Sequence, residues 1–194
     1  MAFLDVIIPT YSRIEPLRCM LASLMAQTDG DWTANVIIDN EMGNTTSIMH
    51  DLLMFHIEYN KRIQISFSGK RYNDFGHTPR EIGKQQSTAD YCLLTGDDNY
   101  YTPNFVEELK KAAVNKPGMI YWDMVHSHYN YQFFECHPHT HQIDMGAFAT
   151  RNDLAKQIKL GTRMQADGDF VEEFNVKFPF EKKVKINKIL FVHN

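Results

Sequence analysis

The sequence predicts an α/β protein built on a mostly parallel sheet. Two observations carry this. Short β-branched apolar runs alternate with amphipathic helical segments four times over the first hundred or so residues. Three of those runs then end in polar or acidic residues, as strands do where an open sheet presents its carboxyl edge. The second half instead reads as hairpin-like strands and short helices, giving a smaller mixed or antiparallel portion.

The opening, Leu4 to Ile8, is a buried strand stopped by Pro9. Pro16 stands near the start of a helix whose Leu17, Met20, Leu21, Leu24 and Met25 share one face. A turn at 28–31 precedes Val36-Ile37-Ile38, too short and too β-branched for a helix, which ends in Asp39-Asn40. Asn44-Thr45-Thr46 can cap a helix carrying Ile48, Leu52, Leu53, Phe55 and His56. Ile63, Ile65 and Phe67 alternate with polar neighbours, as in a half-buried strand. A polar loop from Ser68 to Thr78 leads into a helix near Pro79 to Thr88. Tyr91 to Leu94 is a fourth strand, running into Thr95-Gly96-Asp97-Asp98-Asn99. Pro103 then opens a helix bearing Phe105, Val106, Leu109 and Ala113. Beyond it, Met119–His128 and Tyr131–Cys136 form a hairpin around Tyr129-Asn130, and Ile143–Thr150 is a further strand. Asn152 caps a short helix with Leu154 and Ile158, a second helix spans Asp167–Asn175, and Val184–Val192 is the last strand.

Composition excludes several classes. The chain has 194 residues, 43% hydrophobic and 23% charged, which is ordinary globular usage. It is expected to be a single domain over 1–194, with a nucleotide-binding half at 1–100 and an acceptor-side half at 101–194. The net charge of −4 argues against nucleic acid as the main partner. Three scattered cysteines do not form a disulfide framework, which points to a reducing compartment and a cytoplasmic protein. No apolar run approaches the roughly 20 residues a membrane span needs. The first residues lack a basic leader, and Asp5 and Pro9 interrupt the apolar stretch, so no signal peptide is expected.

The strand ends carry the chemistry. Strand one delivers Pro9-Thr10-Tyr11, strand two Asp39 and strand four Asp97-Asp98. An aromatic ring can stack on a base, and a carboxylate can accept from a base N–H or a ribose hydroxyl. Adjacent carboxylates suit a hard divalent ion that neutralises phosphate oxygens. Taken singly, Asp-Asp-Asn is more often a turn; the coincidence at three strand ends is harder to assign to chance. No glycine-rich dinucleotide fingerprint or Walker loop follows strand one.

In combination these residues resemble the nucleotide-sugar-dependent glycosyltransferases of the GT-A fold, in the large inverting family 2. Val6 to Arg13 is similar to that family's VIIPTYNR opening, and Val36 to Asn40 to its VVDD strand. Arg80-Glu81-Ile82-Gly83 resembles its RNxG segment, with Glu81 for Asn. Thr95 to Asn99 resembles its acidic DXD-type motif, with Gly96 at the place of the first acid. Ile143 to Arg151 resembles the acceptor-side segment. Ala166 to Phe174 resembles the start of the ED-containing catalytic helix, with Glu173 where the family has Arg.

The resemblance implies a hexosyltransferase-type enzyme that uses a nucleoside-diphosphate sugar, UDP-linked by preference, and Mn²⁺ or Mg²⁺. Pro9, Thr10, Tyr11, Asp39, Arg80 and Asp97 are then the donor contacts, with Asp97 either on the ribose or beside the metal. Asp98 and the late His193 are the metal candidates. Asp167 is the candidate base and Asp169 its alternate. The acceptor is a glycan, protein or other hydroxyl compound. The chain is short for this family, which suggests a near-minimal catalytic domain. Two other readings stay open: a nucleotidyltransferase of related α/β fold, and a non-catalytic nucleotide-sugar-binding module.

One stretch stands apart. His126 and His128 share a strand face, and His137, His139 and His141 would share one if extended, with Cys136 beside them. The spacing matches no standard zinc motif and Pro138 disturbs a strand, which favours a polar hairpin face or an acceptor-binding rim.

Overall fold

The computed structural model describes residues 2–41 and 62–194. The helix expected over 44–56 lies outside the described residues. Leu4–Thr10 forms β1, buried along its whole length, as its near-continuous apolar run requires of a central parallel strand. Ile14–Met25 forms α1 and turns Leu17, Met20, Leu21 and Leu24 to the core. Trp32–Ile38 forms β2, parallel to β1 with Leu4 opposite Trp32 and Thr10 opposite Ile38. Ile63–Phe67 forms β3, parallel to β2. His77–Gln86 forms α2. This helix rests closely on the sheet because Gly83 has no side chain. A Cβ there would lie 2.5 Å from Ile7 Cγ2 and 2.4 Å from Ile37 Cδ1. Tyr91–Leu94 forms β4, parallel to β1 on its other side.

The later elements extend the same sheet. They are β5 (Tyr100–Tyr101), α3 (Phe105–Ala112), β6 (Met119–His126), β7 (Gln132–Phe134), β8 (Phe148–Arg151), α4 (Asn152–Ala155), α5 (Ala166–Lys177) and β9 (Lys183–His193). Among the described residues the strand order is β3-β2-β1-β4-β8-β6-β9-β5, with β7 on β6. The sheet turns antiparallel at β8, which pairs β4 and β6 in that sense, while β9 runs parallel to β6. The four-strand parallel part thus sets one carboxyl edge, and the antiparallel part closes beside it.

Several local expectations need correction. Tyr131–Cys136 shortens to β7 because Asn130 and Tyr131 take left-handed backbones, φ 52° and 55°. The Tyr131 amide also closes a turn on the His126 carbonyl. Ile143–Thr150 is strand only from Phe148; before it, Asp144 caps a 3₁₀ turn by accepting from the Gly146 amide at 2.8 Å. Asn152 does not cap α4. It lies inside the helix, and its side-chain amide donates to the Ser87 and Ala89 carbonyls, tying β8 to the loop before β4. Pro103 sits in the turn before α3, not at its first residue. The 137–142 segment turns on itself, with the His139 amide on the His137 carbonyl and His141 at φ 64°, so its histidines share no strand face. Among the described residues no three His, Cys, Asp or Glu side chains gather as a metal site.

Candidate active site

The carboxyl ends of β1, β2 and β4 enclose a cavity of about 280 Å³. Pro9, Thr10, Tyr11, Asp39, Arg80 and Asp97 all line it, so the structure brings together the whole set of donor contacts expected from sequence. Its floor is a charged network. Thr10 Oγ1 donates to Asp97 Oδ2 at 2.7 Å, and Arg13 bridges Asp97 and Asp98, reaching Asp98 Oδ2 at 2.6 Å. Burial pushes the Asp97 carboxyl above the ordinary range, and Thr10 and Arg13 only partly offset it. At Gly96 a Cβ would stand 2.8 Å from Asp98 Oδ1 and 3.1 Å from Asn99 Nδ2, so a side chain there requires the Asp98 carboxylate to shift. An acid at 96 would displace Asp98.

Asp39 has a task that the sequence did not disclose. Its carboxylate accepts from the Tyr72 amide at 3.0 Å, the Asn73 amide at 3.1 Å and the Ser68 hydroxyl at 3.2 Å. It therefore fastens the loop after β3 over the strand ends. That loop supplies Arg71, which sequence reasoning missed. The Arg71 guanidinium carbon lies 3.2 Å from the Tyr11 ring centroid, forming a cation–π platform on the cavity wall.

A second cavity of about 190 Å³ adjoins the first, and Phe75 and Arg80 line both. Arg80 is fixed by donating from Nε to the Thr95 carbonyl and from one terminal nitrogen to the Phe75 carbonyl, each at 2.9 Å. Burial depresses its guanidinium, while Asp144, Asp97, Asp98 and Asp74 act to raise it. Asp167, in the first turn of α5, lines this second cavity, together with Asp144. Burial raises the Asp167 carboxyl and the Asp144 charge adds to the rise, against the Gly168 amide at 2.7 Å and Arg80. Asp169 is exposed and lies outside the cavity lining. The glycine between these two acids is a packing residue, since a Cβ on Gly168 would lie 3.0 Å from Thr140 Cα. His77, also in the lining, is pushed down to about 4 by burial and by Arg80, so its imidazole is neutral near pH 7.

His193 ends β9 and pairs through Nε2 with Asp144 Oδ2 at 3.3 Å, its ring 4.1 Å from that of His126. Its buried Nδ1 has no partner among the described residues. Asp144 thus links His193 to the Asp167 cavity. The signal for it was a short Asp-x-Gly turn, too common to single out. Glu81 and Glu173 do not enter either cavity. Glu81 pairs with buried Lys84 at 2.7 Å and accepts from the Leu160 amide. Glu173 is exposed on α5 beside Lys177. A larger cavity of about 730 Å³, near Phe3, Tyr91 and Arg151, carries none of the strand-end carboxylates Asp39, Asp97 or Asp98.

The mixed sheet with acids at its parallel strand ends has the form of the GT-A class of α/β folds. The sequence matches glycosyl transferase family 2 over residues 5–172, and the chain belongs to that family. No curated protein matches the sequence. Among solved structures, S. aureus TarS 1-349 superposes with a TM-score of 0.79 at 13% identity, over 100% of this chain and 60% of that one. TarS 1-349 in complex with UDP-GlcNAc gives 0.77 at 14%, over 99% and 58%. The mannosyltransferase PcManGT from Pyrobaculum calidifontis, in complex with GDP-Man and Mn²⁺, gives 0.72 at 14%, over 98% and 56%. The chain therefore spans little more than half of these proteins. No described helix is long and apolar enough to cross a membrane.

Proposed function

We propose that the chain transfers a sugar from a nucleoside-diphosphate donor, UDP-linked by preference, to an acceptor hydroxyl with inversion. The observation that carries this is the pair of adjoining cavities, one lined by Tyr11, Asp39 and Asp97, the other by Asp167, with Arg80 between them. The UDP-GlcNAc and GDP-Man complexes of similar folds support a nucleotide-sugar donor. In this reading the base stacks on the Tyr11–Arg71 platform. Asp39 keeps about one acceptor position free for a base N–H, because a carboxylate has about four such positions and three are taken. Arg80 faces the diphosphate. Asp167 takes the acceptor proton as the acceptor oxygen bonds to the anomeric carbon. The bond from that carbon to the phosphate oxygen breaks, and its electron pair leaves with the nucleoside diphosphate.

The donor set suits Mn²⁺ or Mg²⁺ arriving with the nucleotide. Such ions use one or two carboxylates and complete their shell with phosphates and water. Asp98 is partly exposed, its partner Arg13 is 56% exposed, and the buried Nδ1 of His193 lacks a partner among the described residues. Asp98 and His193 would hold the ion. When bound, it supplies Lewis-acid neutralisation of the leaving diphosphate.

The test is a thermal-shift screen of UDP, GDP and their sugars with and without Mn²⁺, followed by an assay of nucleoside diphosphate release. Stabilisation by a nucleoside diphosphate and metal-dependent release are expected. No stabilisation by any of them overturns the reading. Binding without release supports a binding module, and release of pyrophosphate a nucleotidyltransferase. Asp98→Ala should abolish the metal-dependent part of the shift. The ligand-free Tm should fall by no more than about 4 °C, because an exposed ion pair contributes about 0–1 kcal/mol.

A further inference from the structure

The wall shared by the two cavities is unusual. Phe75 is 67% exposed, although it is a large apolar side chain. Its backbone is left-handed, φ 59°, a region that bulky L-residues avoid because Cβ crowds the following carbonyl. Asn73 at φ 54° and Gly76 at φ 79° flank it in the same region. The loop is forced into this shape from outside. Asp39 takes the Asn73 amide, Arg80 donates to the Phe75 carbonyl, and Asp74 accepts from the Thr78 amide at 3.0 Å. Strain held in place by surrounding contacts, with the side chain directed away from the core, points to a binding role. Met164, 79% exposed, lines the same second cavity. Asp144 and Asp167 line the cavity with them.

We propose that the acceptor is a neutral saccharide, whose pyranose C–H face stacks on the Phe75 ring and is held against Met164, with its attacking hydroxyl at Asp167. This rests on the transferase reading above. Two carboxylates against one guanidinium, Arg80, leave the lining net negative and oppose an anionic acceptor, while an exposed aromatic face with an aliphatic partner matches the apolar face of a sugar ring. The cavity's continuity with the donor cavity places that ring where transfer occurs.

The inference is tested by saturation-transfer difference NMR on the full chain, saturated with whichever of UDP or GDP stabilises it. The probes are cellobiose, maltose, chitobiose and mannobiose, against glucuronic acid and glycerol 3-phosphate. At least one neutral disaccharide should show ring C–H contacts, and the anions none. Phe75→Gly removes the ring at a backbone that glycine adopts freely, so its Tm should hold or rise. Its disaccharide affinity should fall about three- to tenfold, the range an aromatic contact supplies. Phe75→Trp should retain binding. Met164→Ala, which touches only the second cavity, should weaken the disaccharide while moving the nucleotide dissociation constant less than about twofold. Nucleotide binding without contact to any neutral disaccharide overturns the inference, as does full contact in Phe75→Gly or preference for an anionic probe. Failure of both UDP and GDP to bind overturns the transferase reading itself.

Discussion

Replacing Asp167 with Asn should lower the transfer rate by about 10²–10⁴-fold, the usual contribution of a positioned general base. Asn keeps an oxygen for the Gly168 amide, so the start of α5 should survive. Asp167 is absent from the lining of the donor cavity, so nucleotide affinity should change little. The pH profile carries further information. Burial first, and the charge of Asp144 second among the raising effects, hold the Asp167 carboxyl above its ordinary value. A base must be deprotonated to act, so kcat/KM should fall as pH drops through this raised value, above the ordinary Asp pKa of about 3.9. Asp144→Asn keeps the cap on Gly146 but removes the charge, so the acid limb should move to lower pH. Steady-state rates from about pH 4 to 8 measure both effects. Transfer within tenfold of the unmodified protein in Asp167→Asn would place the base elsewhere.

The parallel half of the fold was legible because β1, β2 and β4 are short, largely buried runs that lead into polar residues, while β3 shows the alternation of a half-buried strand. Pro9 does not stop β1, which continues through it to Thr10 because Pro9 and Thr10 still pair with Ile37 and Ile38; the polar residues that follow Thr10 and Ile38 nonetheless mark the carboxyl edge in the sequence. That Pro9, Thr10, Tyr11, Asp39 and Asp97 would meet at one cavity on that edge was legible for the same reason. What escaped was set by side chains distant in sequence. Asp39 accepts two amides from the 68–76 loop and Arg80 donates to its Phe75 carbonyl, and these bonds from outside the loop set Arg71 over Tyr11 with Phe75 turned outward. No local pattern encodes that. Tyr100–Tyr101 escaped because two residues make a strand only through pairing with Val192 and Phe191 of β9. The antiparallel strands were foreseen, but periodicity along one strand does not name its neighbour, so their continuity with the parallel sheet was not.

Glu81 shows the opposite error, in which a departure from the family pattern invites doubt about function. Here it answers Lys84, which is fully buried in α2. The Lys84 ammonium meets Glu81 at 2.7 Å and the Ile158 carbonyl, and lies 5.8 Å from the Phe170 ring. Glu81 in turn takes the Leu160 amide at 2.9 Å. The pair therefore clamps the 158–160 segment, which leads directly to Met164 and Asp167.

Lys84→Ala should cost about 3–5 kcal/mol, the range for removing one member of a buried pair. For a chain of this size that is a fall in Tm of about 6–20 °C. Burial alone would raise the Glu81 carboxyl, but Lys84, the Leu160 amide and Gln85 outweigh it and hold it below the ordinary range. A carboxyl depressed by folding adds stability that is fully present above its unfolded pKa, about 4.3. That stability is lost as pH falls through the lower folded value. The Tm difference between the unmodified protein and Lys84→Ala should accordingly narrow below about pH 4. The double change Glu81→Gln with Lys84→Met separates charge from packing. It removes both charges and keeps most of the volume, and Gln still accepts from the Leu160 amide. It should recover most of the lost stability, because an apolar or neutral replacement of a buried pair is often near neutral. Equal stability of the double variant and Lys84→Ala would mean that neither lost volume nor an orphaned charge sets the cost, and that α2 needs the Lys84 ammonium's own bonds to Glu81 and the Ile158 carbonyl.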